Sequence, residues 1–138
     1  MKKLILVTLL TFSSTFLFGQ KKEIIEVMKK QEKSWNNGDL QGYMNGYWKN
    51  DSLQFIGKNG ITKGWTQTLK NYERAYPTKE KMGTLKFSEI EIKNLGKKHA
   101  YVTGKWELLR ENDHPNGIYT LIFKKFKEGW LCISDHTN

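Results

Sequence analysis

Gly117-Ile118-Tyr119-Thr120-Leu121-Ile122-Phe123-Lys124-Lys125-Phe126 is the stretch on which the fold turns. It is rich in β-branched and aromatic residues and holds no proline, which predicts a strand. Residues 118–123 are almost continuously apolar, so both faces of this strand need cover. Three similar stretches flank it. Thr84 to Leu95 lies upstream, with Leu85 and Phe87 on one parity and Ile90 and Ile92 on the other. A bulge near Ser88-Glu89 reconciles the two parities and bends the strand. Ala100 to Arg110 follows a Gly96-Lys97-Lys98 turn, and Trp130 to His136 follows Glu128-Gly129. Short turns between long strands predict a four-strand antiparallel meander.

The residues before the meander read as helices. From Glu23 to Trp35, Ile24, Val27, Met28, Gln31 and Trp35 share one face. Asn36-Asn37-Gly38 stops that helix, and Asp39 is placed to cap the next one. Leu40, Tyr43, Met44, Tyr47 and Trp48 then form an apolar stripe opposite Gly42 and Gly46. Ser52 to Gly57 and Ile61 to Lys63 read as a small hairpin around Asn59-Gly60. A third helix from Gly64 to Tyr76 carries Trp65, Leu69, Tyr72 and Tyr76 on one face and ends at Pro77. Helices first and strands after predict an α+β domain with helices on one sheet face. At 138 residues, with no internal repeat or linker, one domain is expected.

The N-terminus has its own pattern. Lys2 and Lys3 precede an uncharged run from Leu4 to Phe18, then Gly19. This predicts a signal peptide over residues 1–19 and a single domain over 20–138. The run is too short and too rich in Ser and Thr for a stable membrane span. Export to the periplasm or the extracellular space is expected. Removing Lys2 and Lys3 lowers the formal net charge from +9 to +7. Most of that charge is lysine in pairs on expected turns and solvent faces, so nucleic acid is not an expected partner. The single cysteine, Cys132, excludes an internal disulfide and reads as a core residue. No phosphate loop, dinucleotide fingerprint or zinc spacing occurs, so no cofactor and no metal are expected.

One sheet face has nothing in this chain to cover it. On regular alternation it carries Tyr101, Leu109, Tyr119, Leu121, Phe123, Leu131 and Ile133. A homodimer through that face is the expected solution.

Several segments together resemble the nuclear transport factor 2-like superfamily, in particular SnoaL-like members and the association domain of calcium/calmodulin-dependent kinase II. They are residues 34–40 (Ser-Trp-Asn-Asn-Gly-Asp-Leu), 60–65 (Gly-Ile-Thr-Lys-Gly-Trp), Tyr72 with Tyr76-Pro77, Gly104-Lys105-Trp106, and Gly129-Trp130 through Asp135-His136-Thr137. The resemblance spans almost all of residues 22–138. It implies three helices packed in the concave face of a curved, mainly antiparallel sheet, a pocket at the open end of this cone, and frequent dimers. It implies no single activity, since the same cone serves isomerases, dehydratases, hydrolases and binding or oligomerisation modules.

In such a cone the aromatic residues acquire a candidate role. All 5 Trp and all 6 Tyr lie beyond residue 19. Trp35, Tyr43, Trp48, Phe55, Trp65, Tyr72 and Trp106 are expected to look inward, as core or as the wall of a cavity for a small apolar ligand. Arg110 shares the parity of Trp106 and is placed at the rim. His136 is expected to face the cavity with Ser134 and to be the acid–base candidate. Tyr43, Tyr72 or Asp135 is the expected catalytic assistant, although neighbouring Asp135 points to the other face unless a bulge intervenes. The expected function is ligand binding in an aromatic pocket. The alternatives are a small acid–base enzyme in the same pocket and a non-catalytic interaction module of the cell envelope.

Overall fold

The computed structural model describes the backbone from residue 2 to residue 138 and side chains from residue 18 onward. Apart from Phe18 and Gly19, the expected signal segment lies outside the described side chains. The elements are α1 (Lys2–Asn36), α2 (Leu40–Met44), β1 (Gln54–Gly57), β2 (Gly60–Lys63), α3 (Trp65–Ala75), α4 (Lys79–Met82), β3 (Thr84–Asn94), β4 (His99–Leu109), β5 (Asn116–Phe126) and β6 (Gly129–Thr137). The strands form one sheet in the order β2-β1-β6-β5-β4-β3. Every pairing is antiparallel except β1 with β6, which is parallel and matches Gln54 with Ser134, Phe55 with Asp135 and Ile56 with His136.

Helix α1 lies along the sheet and sets the domain's long axis. At its middle Gln20 donates to the Lys97 carbonyl, and at its end Asn36 exchanges two hydrogen bonds with the Leu85 backbone. From Gln20 onward the helix thus runs from the β3–β4 turn to the beginning of β3. Its apolar face buries Ile24, Met28 and Trp35 against Ala100, Val102, Phe123, Trp130 and Cys132 of the sheet. The rings and aliphatic chains withdrawn there supply the main stabilising term, at ~1.5–3 kcal/mol for each large side chain.

Two bulges shape the sheet. The first lies between Ser88 and Glu91 of β3, at the predicted place, with Glu89 in the left-handed region (φ 51°). It returns Ile90 and Ile92 to the core side, where both pack. The second was not anticipated. Phe123 pairs with Cys132 and Ile122 with Ser134, so Ile133 is the extra residue in β6. Beyond it the strand's parity reverses.

Three expectations need correction. Helix α2 stops at Met44 and does not run through Trp48. The chain leaves it to pair with the sheet: Cys132 N–H donates to the Gly46 carbonyl and Trp48 N–H to the Cys132 carbonyl, both at 2.9 Å. Strand ladder bonds replace helical ones, and Gly46 has no Cβ to strike the Gln31 side chain lying over it. Second, the short helix α4, capped by Thr78 through Lys81 N–H, was not read from the sequence. Third, Tyr119, Leu121 and Phe123 do not lie on the uncovered face; they are buried against the helices. Their outward neighbours are Ile118, Thr120, Ile122 and Lys124, which alternate with them along the strand. Tyr101, Leu109 and Leu131 do lie on that side, cross-strand from outward residues. The outer face is therefore mixed in polarity rather than a continuous apolar sheet.

Candidate functional site

Beyond Trp35 the helices and sheet diverge and leave a cavity of about 260 Å³. Each wall comes from a different element. Helix α1 gives Gln31 and Trp35, α2 gives Tyr43, α3 gives Tyr72, its C-cap gives Tyr76, and β1 gives Phe55. The sheet floor gives Leu85, Phe87, Trp106, Leu108, Tyr119, Leu121 and Asp135. The rings brace one another. Trp35 meets Tyr43, Tyr72 and Tyr76 edge to face at 5.1, 5.8 and 4.9 Å between centroids. Phe55 meets Tyr72 in the same way at 5.7 Å. Such contacts fix the wall geometry and add about 0.5–1.5 kcal/mol each beyond area burial. The Trp35 indole N–H is spent on the Met82 carbonyl, which holds the ring in place.

Asp135 is the polar centre of this cavity. The β6 bulge turns it inward, and it is 4% exposed. Its Oδ2 accepts from the Tyr47 hydroxyl at 2.7 Å, and Tyr47 in turn meets the Tyr43 hydroxyl at 3.2 Å. Tyr47 reaches Asp135 because its backbone is bridged to Cys132 on the same strand. The second oxygen, Oδ1, is buried with no hydrogen-bond partner, and so is the Tyr119 hydroxyl. Burial pushes the Asp135 carboxyl up to about 7, against an opposing pull from the Tyr47 hydrogen bond. Burial, with Asp135 adding to it, also raises the phenols of Tyr43, Tyr47 and Tyr119. Tyr72 is raised by burial first and then by Tyr43 and Asp135. These hydroxyls therefore stay protonated and available as donors at neutral pH.

Tyr119 owes its place to a missing side chain. It pairs across the ladder with Gly104, and a Cβ there would collide with the Tyr119 hydroxyl. The glycine lets the tyrosine lie flat over the neighbouring strand with its hydroxyl at the cavity floor.

Of the residues expected at the site, Tyr43, Phe55, Tyr72 and Trp106 line the cavity. Trp48 does not; it stacks on Phe126 at 5.6 Å. Trp65 is buried behind the wall, its indole N–H donating to the Met44 carbonyl at 2.8 Å. Arg110 stands outside, clamped to Asp113 by two bonds of 2.6 and 2.7 Å and to the Lys81 carbonyl at 3.0 Å. Ser134 and His136 point to the opposite sheet face, where His136 is exposed, because Ile133 consumes one step of the alternation. Asp135 takes the inward position expected for His136. Tyr47 and Tyr119 were not among the expected site residues. The i, i+4 spacing of Tyr43 and Tyr47 was a usable signal for the first, and Gly104 opposite Tyr119 for the second. Cys132 is buried in the core, as expected. Among the described residues no group of His, Cys, Asp and Glu could hold a metal ion, and no helix is long and apolar enough to cross a membrane.

Fold and site together define an α+β cone closed at one end and hollow at the other. Solved structures with this architecture include a nuclear transport factor 2-like protein of unknown function from Shewanella oneidensis. It is 42% identical over 85% of this chain and 97% of its own, with a TM-score of 0.81. The chain belongs to the nuclear transport factor 2-like family. A nuclear transport factor 2-like superfamily protein from Salmonella enterica shares the fold at 22% identity, over 91% of this chain and 92% of its own, with a TM-score of 0.69. So does a Xanthomonas campestris protein described as a calcium/calmodulin-dependent protein kinase II association domain, at 14% identity, 83% and 84% coverage and a TM-score of 0.65. No family model and no curated protein matches the sequence.

Proposed function

We propose that the protein is an exported domain that binds a small, largely apolar molecule in the aromatic cavity at the open end of the cone. The observation that carries this reading is the pairing of a hollow, ring-lined interior with buried polar atoms that no protein group satisfies: besides the Trp106 indole nitrogen, Asp135 Oδ1 and the Tyr119 hydroxyl. A buried polar atom without a partner costs about 1–3 kcal/mol, so a ligand that meets these atoms recovers that free energy on binding. The test is native mass spectrometry of the purified protein. A compound retained under gentle conditions and released on denaturation is the expected result. An empty cavity that takes up no apolar probe overturns it.

Export is supported by the N-terminal pattern of Lys2, Lys3 and the uncharged run to Phe18. The contrast at the expected cleavage site fits it: Phe18 is 73% exposed, whereas Gln20 is buried and bonded to the Lys97 carbonyl. A mature N-terminus at or near Gln20 in the exported fraction is the expected outcome of terminal sequencing. A second copy of the chain is the partner proposed for the outer sheet face, on which Leu109 and Ile118 are 48% and 57% exposed. Light scattering at micromolar concentration that gives the mass of one subunit overturns that assignment.

One observation favours a catalytic second reading. A carboxyl raised to about 7 beside a cavity has the proton affinity suited to general acid–base work at neutral pH. In that reading Asp135, not His136, moves the proton, and Asp135→Asn abolishes turnover while His136→Asn leaves it intact.

A further inference from the structure

We propose that the ligand of this cavity is a small organic cation: an amine, protonated or quaternary, carried on an apolar ring or short chain, with its ammonium group paired by Asp135. The proposal rests on the cavity being a ligand site and goes further by fixing the ligand's charge.

The first ground is charge inventory. The chain as a whole is strongly basic, at +9. The cavity inverts this. No Lys, Arg or His lines it, and Asp135 is the one lining side chain able to carry charge at neutral pH. An anionic ligand entering here finds a carboxyl and no counter-ion. The basic surface and the acidic interior are separated by rings, so surface lysines do not neutralise Asp135.

The second ground is the geometry around that carboxyl. Each element packed against Asp135 presents a neutral group: Tyr43 from α2, Tyr47 from the segment before β1, Tyr72 from α3, Tyr119 from β5 and Cys132 from β6. None supplies a positive charge, although the site is deep enough to demand one. Oδ2 is occupied by Tyr47, and Oδ1 is left open. A buried carboxylate is strongly disfavoured without a paired cation, and that pairing is the contribution a ligand ammonium makes.

The third ground is the wall. Trp35, Tyr72, Tyr76 and Phe55 enclose the cavity, and an aromatic face attracts a cation and repels an anion. Ring walls with one unpaired buried carboxyl form a cage for an alkylammonium group. A neutral ligand uses the rings but leaves the carboxyl's charged form unused.

Proton linkage follows. The free carboxyl, lifted by burial to about 7, holds its proton through much of the neutral range. An arriving cation favours the ionised form, so binding expels a proton from Asp135 below pH 7 and none well above it.

The test uses three molecules of nearly the same shape: benzylammonium, benzyl alcohol and benzoate. Each is titrated into the folded protein by calorimetry at pH 6 and pH 8, in buffers of different ionisation enthalpy. Benzylammonium is expected to bind at least tenfold tighter than benzyl alcohol at pH 8, with no binding of benzoate. Its affinity is expected to rise about tenfold from pH 6 to pH 8, with close to one proton released at pH 6. Asp135→Asn is expected to erase the preference for the ammonium and leave the alcohol's affinity in place. If that variant does not fold, the pH dependence in the native chain decides. Benzyl alcohol or benzoate binding as well as the ammonium overturns the cation and leaves the ligand cavity standing. No saturable binding of any of the three overturns both.

Discussion

At the end of the interior near Gln20, Ile24, Met28, Ala100, Val102, Phe123 and Cys132 meet, none more than 1% exposed. At the other end the same helix and the same strands supply Trp35, Leu108, Tyr119 and Asp135, around a cavity of about 260 Å³. The closed end is mostly aliphatic and has no hollow. The open end is ringed by phenols and indoles and carries a carboxyl with one oxygen unmatched. One sheet therefore serves two purposes, and the change falls where two irregularities occur. The β3 bulge at Ser88–Glu91 and the β6 bulge at Ile133 both lie between the two ends. A chain aiming only at stability has no use for a buried Asp; its presence at the hollow end marks a position kept for something other than folding.

The largest effect expected from breaking this contrast is at the closed end. Phe123→Ala leaves a void in a region with no hollow to absorb it and lowers stability by about 3–5 kcal/mol in denaturant titrations. At the open end the sign reverses. The Asp135 carboxyl titrates near 3.8 in the unfolded chain and near 7 in the folded one, so the folded state holds the extra proton between those values. Stability then falls as pH rises from about 4 to 7 and is level above, and the full span is at most roughly 4 kcal/mol. Asp135→Asn is expected to remove that slope and to raise the melting temperature at pH 8, while losing the ligand preference. A variant less stable than the native chain at pH 8 contradicts this account.

Gly104→Ala sharpens the comparison with a smaller change. The backbone there is ordinary β, so the added methyl acts by pushing the Tyr119 ring out of its place and by crowding the Ser88 carbonyl oxygen. A loss of about 1–3 kcal/mol, with weakened benzylammonium binding, is expected. His136→Asn is the smallest. His136 is exposed on the outer face, and the change is expected to stay within ~0.5 kcal/mol in stability and to leave binding unaltered.

The fold was legible because its signals were redundant. Four strands marked by turns, the bulge forced by Leu85, Phe87, Ile90 and Ile92, and the stripes of α1 and α3 all agreed on one α+β layout. The site was less legible because it depends on parity, and parity fails silently at a bulge. Nothing in Cys132-Ile133-Ser134 tells which residue is surplus; that is set by the partner strand, through Ile122 and Phe123. A single uncounted residue exchanged Asp135 for His136 in the cavity. The run from Ile118 to Phe123 hid its inward side for a related reason: both parities are apolar. The early end of α2 was concealed because Tyr47 keeps helical spacing from Tyr43 yet takes its hydrogen bonds from the sheet.

The parallel ladder between β1 and β6 spans three residue pairs, and Phe55 sits across from Asp135 within it. The corner of the molecule that screens the hollow is thus fastened to the very strand segment that bears the acid, and by very little backbone. Short edge pairings open locally at far less free energy than a whole domain unfolds. If the hollow takes a ligand as proposed, this hairpin is its expected way in while Met28, Phe123 and their neighbours stay locked, and slow amide exchange in the latter alongside fast exchange in the former is the expected signature of that division of labour.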